Sequence, residues 1–235
     1  AFHPKPHSKN QYFRNLVNAA VYVLSPRIIK YIRKGKKTDF GKDIFPKIVK
    51  KERLYGYLTA EYIKDIGTPA RLEEAQKDYQ KGKISRLNRK NKRKAIFLDR
   101  DGTIGRTPYE VFRPDNFKLF PWSTPAIEKI NESEFLAIVI TNQPAVAKGF
   151  CSIDNIAATH RKMETILGEK GAKLDGIYFC PHHPDKGFPE ENPKYKINCN
   201  CRKPKTGLVK KAQKDFNIDL KSSYFVGDSF RDFLC

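Results

Sequence analysis

The stretch Lys94-Ala95-Ile96-Phe97-Leu98-Asp99-Arg100-Asp101-Gly102-Thr103 constrains this chain more than any other. Ile96, Phe97 and Leu98 are consecutive and apolar, the pattern of a strand buried on both faces of a parallel sheet. The run then stops on two acids and a glycine. In open α/β sheets ligands bind beyond the carboxyl ends of the strands, and a glycine there lets Asp99 and Asp101 face one crevice. Two carboxylates this close repel each other. A divalent cation relieves that repulsion, so the pair points to Mg²⁺ and, through it, to a phosphate. An ordinary acidic turn is the plainer reading and the weaker one for D-x-D-G-T after an apolar run.

Three further apolar runs follow the same logic. Leu136-Ala137-Ile138-Val139-Ile140 ends on Thr141-Asn142-Gln143, Gly176-Ile177-Tyr178-Phe179 runs into Cys180, and Ser223-Tyr224-Phe225-Val226-Gly227 ends on Asp228. Helical patterns at 125–131, 153–168 and 207–216 lie between the strands, which predicts an α/β fold with a Rossmann-like parallel sheet. Residues 105–122, rich in proline and aromatics, predict an irregular flap with no room for a separate cap domain. The Thr141 hydroxyl and the Asn142 amide can hydrogen-bond phosphate oxygens without adding charge, although a capped turn uses the same groups. Asp228 brings a third carboxylate to the same edge. Asp232, one turn later, ranks below it as a supporting or capping residue.

Cys180-Pro181-His182-His183-Pro184 and Cys199-Asn200-Cys201-Arg202-Lys203-Pro204 close a polar loop. Cys180, His182, Cys199 and Cys201 are four ligands of the kind tetrahedral zinc takes, and a filled set of four is structural rather than catalytic. On spacing alone His183 could replace His182. Arg202 and Lys203 follow the last ligand directly, so a metal there would hold two cations rigidly near the crevice, where phosphate needs them. Cys151 and Cys235 carry no assignment.

The chain has 235 residues and a formal net charge of +20. Residues 1–94 contribute +17 and residues 95–235 only +3, so the basic excess belongs to the first part. No apolar stretch reaches the roughly 18 residues of a membrane span, and no charged-then-apolar leader is present, which predicts a soluble, cytoplasmic protein. Five cysteines without a leader fit a reducing compartment and suggest metal ligands before disulfides. Residues 81–94 hold eight basic residues, no acid and no aromatic side chain. That composition predicts a solvated linker; base stacking is not offered, which weighs against nucleic acid as a partner.

Within the first 80 residues, 16–24, 54–58 and 62–69 have the composition of strands. Helices are expected after Ser25-Pro26, over 39–49, and from Pro69 to Tyr79 with Leu72, Ala75 and Tyr79 on one side. Asn18-Ala19-Ala20-Val21-Tyr22-Val23, Asp39-Phe40-Gly41-Lys42-Asp43-Ile44-Phe45-Pro46 and Asp65-Ile66-Gly67-Thr68-Pro69 together resemble the C-terminal part of sugar-phosphate nucleotidyltransferases. That resemblance implies that Asn18 stands at a sugar contact and Asp65 at a Mg²⁺ ligand. The family's glycine-rich nucleotide loop has no counterpart here, and Pro4-Lys5-Pro6 stands where Glu-Lys-Pro is usual. The segment by itself is therefore expected to be inactive.

The motifs of residues 95–235 together resemble the haloacid dehalogenase superfamily, in its zinc-containing, capless branch. That branch holds the D-glycero-D-manno-heptose 1,7-bisphosphate 7-phosphatases and the related histidinol-phosphate phosphatases. The resemblance implies that Asp99 is the nucleophile and that Asp101 protonates the leaving oxygen and then activates water. It further implies that Thr141 and Lys203 bind the transferred phosphoryl group, and that Asp99, the Asp101 carbonyl and Asp228 hold Mg²⁺. A further helix and strand are expected beyond Cys235, which would cover the outer edge of the strand at 223–228. The expected organisation is a nucleotidyltransferase fragment over 1–80, a linker over 81–94 and a phosphatase domain over 95–235, acting on a phosphorylated sugar. Histidinol phosphate is the alternative substrate, and a basic, zinc-containing nucleic-acid binder without catalysis is the alternative of another class.

Overall fold

The computed structural model describes residues 11–106, 114–185 and 187–235. Among them Gln11 with Leu16–Thr59 forms one compact unit, and Tyr12–Asn15 with Ala60–Cys235 forms the other. Pro4-Lys5-Pro6 and residues 107–113 of the expected flap lie outside the described residues.

The smaller unit is a short helical cluster. A 3-10 helix over Pro26–Tyr31 starts on Ser25, whose side chain caps Arg27, and a π turn over Phe40–Ile44 leads into α1 (Phe45–Ile48). Ile44, Phe45 and Ile48 are buried against Leu24, Ile28, Tyr31, Ile32 and Phe40. The strands expected at 16–24 and 54–58 do not form, nor does the one at 62–69 in the larger unit. A strand gains its stability from a hydrogen-bonded neighbour, and none of these segments has one among the described residues. Val17, Val21, Val23 and Tyr55 stand exposed as a result.

The larger unit begins with α2 (Pro69–Gln80), which follows the expected pattern: Thr68 accepts from Arg71 N, and Pro69 fills the first turn. A short helix α3 (Lys83–Leu87) lies within the basic stretch expected to be a linker. That stretch is anchored at its far end. Asn217 donates its side-chain amide to the carbonyls of Arg89, Lys90 and Asn91 at 3.0, 3.3 and 3.1 Å, and Arg93 N donates to Asn217 O.

The sheet consists of β1 (Lys94–Leu98), β4 (Phe135–Asn142), β5 (Gly176–Cys180) and β6 (Tyr224–Val226), all parallel in the order β5-β4-β1-β6. Between β1 and β4, β2 (Gly105–Arg106) pairs antiparallel with β3 (Lys118–Leu119), so the expected irregular flap contains a small ladder. Helices α4 (Ser123–Glu132) and α5 (Ile153–Glu169) cover one face, and α6 (Gly207–Phe216) the other. Alternation along the strands sorts the core: Leu98, Ala137 and Val139 pack with Ile127, Met163 and Leu167. Phe97, Ile138 and Ile140 pack with Leu208, Val209 and Ala212. A sheet covered on both faces has apolar side chains in both registers, hence the unbroken runs in the sequence. β6 has β1 on one side and no strand on the other among the described residues, and a final helix α7 (Phe230–Phe233) follows it.

Asn217 sits in the left-handed region (φ 52°) at the end of α6, and combines that conformation with three side-chain hydrogen bonds. Asn217→Ala is expected to destabilise the larger unit by about 1–2 kcal/mol, from αL strain plus lost hydrogen bonds. Asn217→Gly, which accepts the conformation, should lose less. Urea unfolding of both variants, with trypsin cleavage rates at residues 86–94, checks the ranking.

Candidate active site

The carboxyl ends of β1, β4 and β6 meet around one buried ammonium group. Lys203 Nζ lies 2.8 Å from Asp99 Oδ2, 2.5 Å from Asp232 Oδ1 and 3.0 Å from the carbonyl of Ile140. Lys203 and Asp232 are almost wholly buried and Asp99 nearly so. Burial raises the Asp99 carboxyl above its ordinary range, Lys203 pulls it back and Asp232 raises it further. For Asp232, burial is outweighed by the hydrogen bonds from Lys203 and Ser229, and its carboxyl falls below the usual range. One lysine thus holds two acids in close approach.

Asp228 stands at the exposed rim. Oxygens of Asp99, Asp228 and Asp232 lie within 4.8 Å of one another, a cluster able to hold a hard cation. Gly102, at φ +81°, makes room for it: a Cβ there would sit 1.8 Å from Asp228 Oδ2. This is the turn expected of the glycine in D-x-D-G-T. Asp232 supports Lys203 directly and also caps α7, where its Oδ2 accepts from Ser229 N and Oγ.

Thr141 is fully buried beside these groups. The Asn142 amide meets the main chain of Lys203, accepting from its N at 3.0 Å and donating to its O at 3.2 Å. These two bonds fix the backbone that carries the lysine. Arg202 is partly buried and donates to His182 O.

The Asp101 carboxylate is held by groups that no local motif assigns to it. Arg100 Nε and Nη2 donate to its two oxygens at 2.9 and 2.8 Å, and Gln143 Nε2 donates to Oδ2 at 2.7 Å. Arg100 Nη2 also reaches Gln143 Oε1 at 2.7 Å, and Nη1 lies 3.3 Å from His160 Nε2. Arg100 and Gln143 lie inside the Asp99–Thr103 and Thr141–Gln143 motifs. His160 had no motif, and only its polar character on the buried face of α5 could have marked it. Burial, then the adjacent Arg100 charge, lowers the His160 imidazole to about 3.

Behind the crevice Cys180 Sγ, His182 Nδ1, Cys199 Sγ and Cys201 Sγ converge. The sulfurs are 3.1–3.5 Å apart and His182 Nδ1 is 3.2 Å from Cys201 Sγ. A tetrahedral zinc site has donor separations of roughly 3.5–3.8 Å, so a slight expansion admits the ion. Burial lowers the His182 imidazole, which favours the neutral form that binds metal. His183, the alternative by spacing, faces Asp185 at 3.7 Å.

In the N-terminal region Asn18 Oδ1 accepts from Ala20 N, and its amide bonds the Tyr22 hydroxyl. Asp65 accepts from Gly67 N and pairs with Arg71. Asn18 belongs to the smaller unit and Asp65 to the larger.

A parallel sheet with acids, a lysine and a threonine at its carboxyl edge is the frame of a phosphatase of the haloacid dehalogenase type. Residues 94–231 match the family model described as polynucleotide kinase 3 phosphatase, and the chain belongs to that family. Residues 1–82 match the nucleotidyl transferase model. The D-glycero-beta-D-manno-heptose-1,7-bisphosphate 7-phosphatase of Yersinia pestis is 39% identical over 138 residues, 59% of this chain and 71% of that protein. The D-glycero-alpha-D-manno-heptose-1,7-bisphosphate 7-phosphatase of Burkholderia mallei is 36% identical over 141 residues, covering 60% of this chain and 72% of its own. The crystal structure of D,D-heptose 1,7-bisphosphate phosphatase from B. bronchiseptica, complexed with magnesium and phosphate, matches at a TM-score of 0.52. It is 33% identical and covers 60% of this chain and 73% of its own. The enzyme is accordingly a phosphoric monoester hydrolase.

His160 provides a check on the packing of this site. Its folded pKa of about 3 lies below the ordinary 6.5, so the unfolded chain takes up a proton that the native chain refuses. The stability contribution is complete above pH 6.5 and is lost as pH falls toward 3, at about 1.4 kcal/mol per pH unit. Between pH 6.5 and 5 the wild type should therefore lose about 2 kcal/mol more than His160→Gln. Urea midpoints at both pH values measure the difference.

Proposed function

We propose that this chain removes the 7-phosphate of D-glycero-D-manno-heptose 1,7-bisphosphate through a phosphorylated Asp99. The observation that carries the reading is the Asp99–Lys203–Asp232 cluster at the carboxyl edge of the sheet. The heptose substrate is supported by the names of the relatives. Lys203 and Thr141 neutralise and orient the phosphoryl group, which otherwise repels an incoming carboxylate. An Asp99 oxygen attacks phosphorus in line as the bond to O7 breaks, and Asp101 gives the departing oxygen its proton. Water then attacks the acyl phosphate while Asp101 takes a proton from it, releasing phosphate and free Asp99. Mg²⁺, for which Asp99, the Asp101 carbonyl and Asp228 are the proposed ligands, supplies positive charge against the phosphoryl oxygens. Asp232 serves Lys203 and the rim of this set.

Cys180, His182, Cys199 and Cys201 are the proposed ligands of a structural zinc. Their loop carries Arg202, a further cation for the substrate, and Lys203. Residues 1–80 are proposed as a nucleotidyltransferase segment, with Asn18 at its sugar position and Asp65 at its metal position, joined through 81–94 to the phosphatase. The pairing is coherent chemically: hydrolysis at C7 leaves a sugar 1-phosphate, and nucleotidyl transfer consumes sugar 1-phosphates.

Turnover of the α and β heptose 1,7-bisphosphates, histidinol phosphate and a 3′-phosphorylated oligonucleotide, each with Mg²⁺, tests the substrate. The heptose esters are expected to lead, and a higher kcat/KM on either other substrate overturns the assignment. Asp99→Asn keeps the side-chain shape and removes the attacking charge. Its kcat should fall by at least about 10³-fold, and a variant within tenfold of wild type removes Asp99 from the role.

Elemental analysis is expected to find one zinc per chain. Cys199→Ser or chelation should release it, lower the unfolding midpoint and raise KM as the loop bearing Lys203 loosens. Purified wild-type protein without zinc contradicts the assignment.

A further inference from the structure

The structure surrounds Asp101 with more apparatus than an exposed carboxylate requires. Its side chain is 31% accessible, yet it is bonded on both oxygens by a guanidinium that is only 3% accessible. Arg100 and Asp101 are sequence neighbours, and on an extended strand they would point to opposite faces. The turn made by Gly102 and the backbone hydrogen bonds of Ile104 and Gly105 N to Arg100 O bring them to one side. Gln143 then joins two parts of the site: its amide nitrogen donates both to Asp101 Oδ2 and, at 2.9 Å, to Thr141 Oγ1. Its carbonyl accepts from Arg100. The position of the acid is thereby referred to the hydroxyl proposed to bind the phosphoryl group.

The last member is His160. The guanidinium is buried, and its Nη1 meets an imidazole nitrogen that can accept only when the ring is neutral. The ring packs edge-on to Phe179 at 5.3 Å, so its place is fixed by the core rather than by solvent. The Arg100 guanidinium also lies 6.0 Å from the centre of the buried Phe117 ring.

We propose that Arg100, oriented by His160 and Gln143, is a positioning residue that holds Asp101 in the geometry needed to protonate the leaving oxygen and then receive a proton from water. It rests on the phosphatase reading above and adds residues to it. Arg100 touches neither substrate nor phosphoryl group in this role. Its effect should appear only where the leaving oxygen needs a proton, because a misplaced acid forfeits the contribution of general acid catalysis, typically 10²–10⁴-fold.

Two esters separate positioning from a general structural role. Release of dinitrophenolate from 2,4-dinitrophenyl phosphate needs no proton, whereas release of an alkoxide from glycerol 2-phosphate or a sugar phosphate does. For Arg100→Lys and Gln143→Leu, single-turnover cleavage of the alkyl ester is expected to fall by about 10²-fold. The dinitrophenolate burst should change by less than about fivefold and KM by less than about threefold, on the same reading of the acid's role. His160→Leu should behave like Arg100→Lys, and His160→Gln, which restores an acceptor, should recover most of the lost rate. Equal losses on both esters, or no loss on either, overturn the proposal. Wild-type protein inactive on the heptose 1,7-bisphosphate as well as on both esters overturns the phosphatase reading and this one with it.

Discussion

The Lys203 ammonium, buried between Asp99 and Asp232, is the interaction on which the rest of the site depends. A lone buried charge is costly, and two acids this close to each other are costly too. Together they compensate, and the Ile140 carbonyl accepts a further hydrogen bond from Lys203. Each participant comes from a different part of the sheet: Asp99 follows β1, Ile140 lies in β4, and Asp232 lies in α7 beyond β6. Removal of the lysine leaves two buried carboxylates without their counter-ion, a change that typically costs about 3–5 kcal/mol. The fold and the electrostatics of the site are therefore one problem.

Lys203 is held by its main chain as well as by its charge. Asn142 grips its N–H and carbonyl, and the loop before it begins at the Cys180, His182, Cys199 and Cys201 cluster. On the other side of the crevice Asp101 is fixed by Arg100 and Gln143. Lys203 and the Asp101 carboxylate are thus held by separate supports, and Gln143 links Asp101 to Thr141.

The parts that were legible in the sequence share a physical cause. Strands buried on both faces must be apolar at every position, so β1 and β4 stand out as unbroken runs, and ligand-binding groups must follow them. Four soft donors in two short pairs identify the Cys/His cluster, and geometry selects His182 over His183. The network of Arg100, Gln143 and His160 was not legible, because α5 brings His160 to Arg100 across 60 positions and no local pattern records that meeting. Asn142 could be read as a polar group at a strand end, but not as the clamp of a main chain 61 residues away. The expected strands near Val17, Val21 and Tyr55 failed for the converse reason: β-branched and aromatic composition describes a surface suited to pairing and says nothing of a partner.

β1 is the first strand of the parallel sheet along the chain and an inner strand in space. Ala95 N donates to Ser223 Oγ across 128 positions, and β6 completes its ladder only after β4, β5 and three helices have been made. At about 5–20 residues per second, a ribosome takes roughly 6–25 s to make that interval. During this time the Phe97 edge of β1 is exposed to the cell without its neighbour, while the basic residues at 81–94 precede it directly. An unpaired apolar strand is a template for a second chain, and like charge beside it disfavours that pairing, so the position of the basic stretch directly before β1 matters for the unfinished chain as well as for the finished fold.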